Sequence, residues 1–213
     1  MAALAATPVA AQINGMATAS PEAVIVRAAA RIAGYQQIEQ TYAAQIGQIR
    51  TLRQEMNTLQ QQLDTNRDGN LTEQEVQANP AVVQQIQQKE QQVNQVSQPV
   101  AMAQYYVIEQ LINDYNNAQN QVLQQKRIQL LISPDAIQFA PDSFNVTDDI
   151  VAALNQRMPT VTTTPPAGWQ PMRETVATHQ TVQQILLAAA QQQALRQQQA
   201  QQPQQPQQTP QGR

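Results

Sequence analysis

The stretch DTNRDGNLTEQE, residues 64–75, stands between two long glutamine-rich segments, 36–63 and 81–128, and reads as the tip of a helical hairpin. Asp, Asn and Gly concentrated in so few residues favour a tight reversal, because their side chains bond nearby backbone and tolerate left-handed conformations. The string also meets the pattern D-x-[DN]-x-[DN]-G-x5-E in full, through Asp64, Asn66, Asp68, Gly69 and Glu75. Ca²⁺ is a hard ion that takes roughly six to eight oxygens. Here they would come from the side chains of Asp64, Asn66 and Asp68, the Asn70 carbonyl, Thr72 directly or through water, and both oxygens of Glu75. Two readings stay open. One is a Ca²⁺-binding tip; the other is a polar turn that shares the spacing, since the loop lacks a second copy to pair with and carries few carboxylates. Both give helix, loop, helix.

Working outward, the first segment places Ile38, Tyr42, Ile49, Leu52, Met56, Leu59 and Leu63 at alternating spacings of three and four, with Gln45 in the remaining seam position. That rhythm keeps one stripe against a partner helix as the pair supercoils. A lone amphipathic helix on a globular body would share it, but no large body is evident elsewhere. The return segment begins at Pro80, whose missing N–H is no loss in a first helical turn. Its seam of Val83, Ile86, Val93, Val100 and Val107 is interrupted by Glu90, Ser97 and Gln104. A second, offset stripe follows at Ile108, Leu111, Tyr115, Ala118 and Val122, so the helix is expected to change partner near Tyr105. Pro99 inside it predicts a kink. The return segment outruns the outgoing one, so part of it packs on the body or a helix around Ala28–Ile32 extends the outgoing arm.

Of 213 residues 46 are Gln and two are Phe, which argues against a broad aromatic core. A net charge of −3, from 12 basic and 15 acidic residues, offers no footprint for nucleic acid. The absence of Cys removes disulfides and thiolate chemistry. The opening MAALAATPVAAQ reads either as the tail of a secretory signal or as an ordinary flexible start. No apolar run reaches the roughly 18–20 residues that span a bilayer, so no stable membrane insertion is expected. Catalysis has little support, because His179 stands alone and the clustered carboxylates sit in the loop or at Asp148 and Asp149, where they suit a helix start.

The remainder suggests a small body. Ala23–Val26, residues 128–132 and residues 136–140 read as three short strands, and Thr147 as the cap of a helix that Pro159 stops. Residues 160–171 read as a stiff linker, 174–200 as a further helix, and the Gln/Pro-rich end as disordered. Trp169 is expected to dock the linker, and His179 to be solvated. The predicted fold class is α+β, mostly α: a small β-sheet oligomerisation body carrying a long antiparallel coiled-coil hairpin. The predicted divisions are 1–21, a leader; 22–34, a body strand and short helix; 35–127, the arm; 128–158, body strands and helix; and 159–213, linker, helix and tail.

The order strand, helix out, helix back, two strands, helix resembles the Skp/OmpH family of periplasmic chaperones over about residues 22–158. It is most specific in Val24-Ile25-Val26 and in the run from Ile128–Ile132 through Ala136–Phe139 to Val146-Thr147-Asp148-Asp149-Ile150 and on to Asn155. The resemblance implies a periplasmic homotrimer whose body residues include Val24, Val26, Leu130, Ile132, Ile137 and Phe139. Its arms would enclose a cavity for unfolded outer-membrane β-barrel proteins, held without ATP. Three departures stand out: an acidic rather than strongly basic chain, the calcium-like tip, and the extension from Met172 onward. A non-enzymatic envelope scaffold or calcium-responsive adaptor with a folded partner is the alternative.

Overall fold

The computed structural model describes residues 15–201. The signal-like start and the Gln/Pro-rich end, on which two of the expectations fall, lie outside those residues.

A long hairpin grows from a small helical body. The outgoing limb is α2 (Ala29–Thr41) followed by α3 (Ala43–Leu63), with a break at Tyr42. After the loop, a short helix α4 (Glu73–Ala78) leads into α5 (Pro80–Gln125), whose 46 residues correspond to about 69 Å. The helix runs through Pro99 without a break. Along the arm α5 packs on α3, which buries Leu52, Leu59 and Leu63 against it. Val83, Ile86 and Val93 on the facing side remain half-buried, as expected of a two-helix seam with no third layer.

Past Val100 the partners change. Val107, Ile108, Leu111, Ala118 and Val122 are buried, and this half of α5 packs on α2, on α6 (Thr147–Arg157) and on α7 (Arg173–Gln201). The offset of the second stripe therefore records a real exchange of neighbours near Tyr105.

The body differs from the expectation in its strands. Ala23–Val26 is not a strand; it lies in helix α1 (Pro21–Arg27). The Ser20 hydroxyl accepts a hydrogen bond from the Ala23 N–H, Pro21 occupies the first turn and Glu22 faces the positive helix end, and together these outweigh the β-branched run. Val24 is thus fully buried inside its own chain, while Val26 is half-buried. The strand that does form, β1 (Met16–Thr18), falls in the expected leader. It pairs in parallel with β2 (Leu130–Ile132), Met16 opposite Leu130 and Thr18 opposite Ile132. Gly15, at φ +91°, turns the chain into this pairing, and its carbonyl accepts from the Gln129 and Leu130 N–H groups.

Residues 136–140 form no strand either. Pro134–Ala136 makes a single 3₁₀ turn, and Ile137 and Phe139 follow in irregular backbone. The sheet is two-stranded, extended only by a bridge from Thr18 to Asn145. Thr147 is not the cap of α6 but its first residue; its hydroxyl instead accepts from the Ser20 N–H at 3.1 Å and ties α6 to the start of α1. Asn155 of α6 returns the favour, its Oδ1 accepting from the Ala29 N–H that opens α2. Each helix start in the body is satisfied partly from a neighbour, so the body is cross-braced although its sheet is small.

Candidate functional site

At the tip the loop is organised by its own carboxylates. Asp64 accepts from the N–H groups of Asp68 and Gly69, at 3.1 and 2.9 Å, while Asn66 accepts from the Asp68 N–H and Asp68 from the Asn70 N–H. Arg67 and Gly69 take positive φ, as the reversal requires. Glu75 closes the loop from the far side. Its Oε1 accepts from Thr65 N–H and hydroxyl and from Asn66 N–H, and its Oε2 from Thr72 N–H and hydroxyl. Thr72 and Glu75 form a reciprocal capping box at the start of α4.

The sequence-predicted ligand residues therefore sit in one loop, but the Glu75 carboxylate is held by five donors. Among the described residues, no group of three or more His, Cys, Asp or Glu side chains gathers as a metal ion requires. Hydrogen bonds from Thr72 backbone and side chain, then Thr65, hold the Glu75 carboxyl down at about 2, against an ordinary 4.5. Because the folded value is depressed, the cap's contribution is full above about pH 4.5 and is lost as pH falls toward about 2. Acid titration followed by amide exchange should show residues 64–78 losing protection in that window before α5 does. Tip protection that stays constant down to pH 2 would contradict the assignment.

At the arm root, a groove of about 590 Å³ lies between the limbs. Ile46 and Ile49 of α3 and Val100 and Ala101 of α5 supply its apolar lining, and Arg50 and Arg53 stand on its α3 side. Gln183 of α7 also lines it.

A second, unpredicted constellation lies beside it. Glu109 is only 9% exposed, on α5 one turn beyond Tyr105 and beside the fully buried Ile108. Trp169 Nε1–H donates to its Oε1 at 2.9 Å, and Met172 N–H and the Thr175 hydroxyl donate to its Oε2 at 3.1 and 2.8 Å. Burial pushes this carboxyl up, but the three hydrogen bonds outweigh it and the net displacement is downward. Trp169 also meets Tyr106 edge to face, with ring centroids 5.1 Å apart, so the residue docks the linker as expected. His179, expected to be solvated, is buried: it packs edge to face on Tyr105 at 4.7 Å, with Nε2 3.2 Å from both Gln104 and Gln183, and desolvation lowers its pKa. The one clue in the sequence was a lone carboxylate inside the apolar run Val107-Ile108-Glu109-Gln110-Leu111-Ile112.

Val24 is internal, Val26, Ile132 and Ile137 are half-buried, and Leu130 and Phe139 are 50% and 87% exposed. Among the described residues no helix is long and apolar enough to cross a membrane.

No curated protein is similar to the chain. Its structure is similar to that of an OmpH-like protein from Caulobacter crescentus, described as a candidate outer membrane chaperone. That likeness has 17% sequence identity and a TM-score of 0.46, over 74% of this chain and 95% of the other. Residues 15–154, from the turn before β1 into α6, match the model of the family described as outer membrane protein (OmpH-like). With the sheet, the whole hairpin and most of α6 inside that match, the chain belongs to the OmpH-like outer membrane protein family.

Proposed function

We propose that the protein is a non-enzymatic, ATP-independent holdase of the periplasm that keeps unfolded outer-membrane β-barrel proteins from aggregating. Membership of the OmpH-like family supports a chaperone role. The observation that carries the reading is the arm itself: two long helices with a polar skin, a half-buried apolar seam and the groove over Ile46, Ile49, Val100 and Ala101. Such a surface holds apolar segments weakly and releases them, and sequestration of that kind suppresses aggregation. We further propose a homotrimer assembled through the body. The outer edge of β2 with exposed Leu130, and exposed Phe139, supply surface that association would cover.

The test is light scattering from an unfolded β-barrel protein diluted out of denaturant, with and without the chain, alongside a mass measurement. Suppressed scattering without ATP and a mass of three copies are expected. A stable complex with a folded envelope protein, and no protection of the unfolded one, would replace this reading with that of a scaffold or adaptor.

For the tip, we propose that Ca²⁺ binds by exchange, with Glu75 giving up its Thr65 and Asn66 donors as the ion takes its oxygens. Ca²⁺ should then raise the protection of residues 64–78 in the parent chain and leave Glu75→Gln unaffected. An equal Ca²⁺ response in the variant would remove the ion from the account.

A further inference from the structure

The segment from Val161 to Leu186 lies beyond the family match and is fastened to the arm root along its length. Val161 packs so closely on Gly34 that a Cβ there would approach Val161 Cγ2 to 3.0 Å. Thr162 donates through its N–H and hydroxyl to Gln110 Oε1, and Gln110 Nε2 donates to the Thr162 carbonyl. Trp169, Met172 and Thr175 enclose Glu109; Val182 is fully buried and Leu186 half-buried. The segment shares its apolar cluster with Tyr35, Ile38, Ala103 and Val107 of α2 and α5.

Two proton acceptors govern this contact. Every donor to the Glu109 carboxylate belongs to the segment, so a protonated Glu109 would present a hydrogen where three donors converge. His179 is on the segment itself, stacked edge to face on Tyr105 with Nε2 beside the side-chain amides of Gln104 and Gln183. On α2, the Tyr35 ring carries the Arg31 guanidinium at 5.2 Å, and Arg31 donates to the Val26 carbonyl. On α1, Arg27 is paired with Asp148 and Glu22 accepts from Ser20; Glu39, Arg173 and Glu174 are exposed. Glu109 is the carboxylate on this contact, one turn beyond Tyr105 on α5, and its Thr175 donor stands one turn before His179 on α7; among the described residues no hydrogen bond or ion pair joins Glu109 to His179, whose imidazole is displaced by desolvation.

We propose that residues 161–186 form an acid-released strap: proton uptake by Glu109 and His179 lifts the segment from α2 and α5 and uncovers the apolar face beneath it. Both groups act in one direction. The carboxyl lies below its ordinary 4.5 in the closed state, so its contribution is present above that pH and lost below. The imidazole lies below its ordinary 6.5 through desolvation, so closure weakens as pH falls through 6.5. Release therefore begins below about pH 6.5 and is complete only below the carboxylate range.

Trp169 is the single tryptophan of the chain and belongs to the strap, so its emission reads the strap directly. The full chain is titrated from about pH 7.5 to about pH 3.5 with emission, far-ultraviolet circular dichroism and a hydrophobic dye followed together. Emission is expected to shift to longer wavelength and dye fluorescence to rise while helicity is retained. Glu109→Gln, which sets an amide NH₂ among the donors, should show the shifted emission already at neutral pH. His179→Phe, which keeps a ring against Tyr105, should move the release to lower pH. Emission that is constant through the range, that shifts only with loss of helix, or that titrates identically in both variants and the parent would overturn the strap; so would an emission shift without dye uptake. No client enters the measurement, so its outcome is independent of the holdase proposal.

Discussion

Leu111→Ala is expected to destabilise the body by about 2–5 kcal/mol, the range for removing a fully buried leucine and leaving a cavity. Leu111 has no exposed surface and sits where α5 leaves α3 and packs on the body helices. Its neighbours Ile108, Ile150 and Leu154 are equally buried, so the space cannot be refilled without moving a helix held at its start by Thr147 and Ser20. At about 2–4 °C per kcal/mol for a chain of this size, the melting temperature should fall by roughly 4–20 °C. Leu187→Ala, at a position 60% exposed on α7, should change it little. Equal effects of the two substitutions in thermal unfolding would mean that the root of the hairpin is not the core.

The paired substitution Leu52→Ala with Leu59→Ala should open the arm. These two and Leu63 are the buried residues of α3, and the facing valines are only half-covered, so the seam has no reserve. Each change should cost about 2 kcal/mol, the low end for a partly exposed seam, and positions two helical turns apart should add to about 4 kcal/mol. Since each 1.4 kcal/mol is about tenfold, amide protection along 45–63 and 80–97 should drop by about a thousandfold, while α6 keeps its protection. On the proposed holdase function, the same variant should fail to protect unfolded β-barrel proteins. An arm that stays protected would contradict the seam; an opened arm that still suppresses aggregation would move the client surface elsewhere.

What the sequence made legible is local or periodic. The reversal at Asp64–Glu75 follows from Asx and Gly chemistry and from the Thr72–Glu75 box, all within twelve residues. The two stripes of α5 and their offset near Tyr105 survive intact, because helix periodicity is written continuously along the chain. At Ala23–Val26 two local signals competed, and the cap at Ser20-Pro21-Glu22 prevailed over β-branching. The segment 136–140 has apolar alternation, but Pro134 and Pro141 bracket it, and a 3₁₀ turn at Pro134–Ala136 takes its start. The Glu109 cluster was hidden for a different reason. Its partners lie 60–66 residues away, and no period or motif connects them. His179 was misread likewise, since its burial depends on Tyr105 and Gln104 of another helix.

The central claim is that α5 is one continuous rod carrying the tip away from the body. Pulsed electron paramagnetic resonance on the full chain, spin-labelled at Gln85 and Gln125 and diluted with unlabelled protein, tests it most directly. Forty residues of unbroken helix predict a single narrow distance near about 60 Å. A broad distribution, or a main distance below about 40 Å, would show the rod folded or broken near Pro99 and would contradict the account.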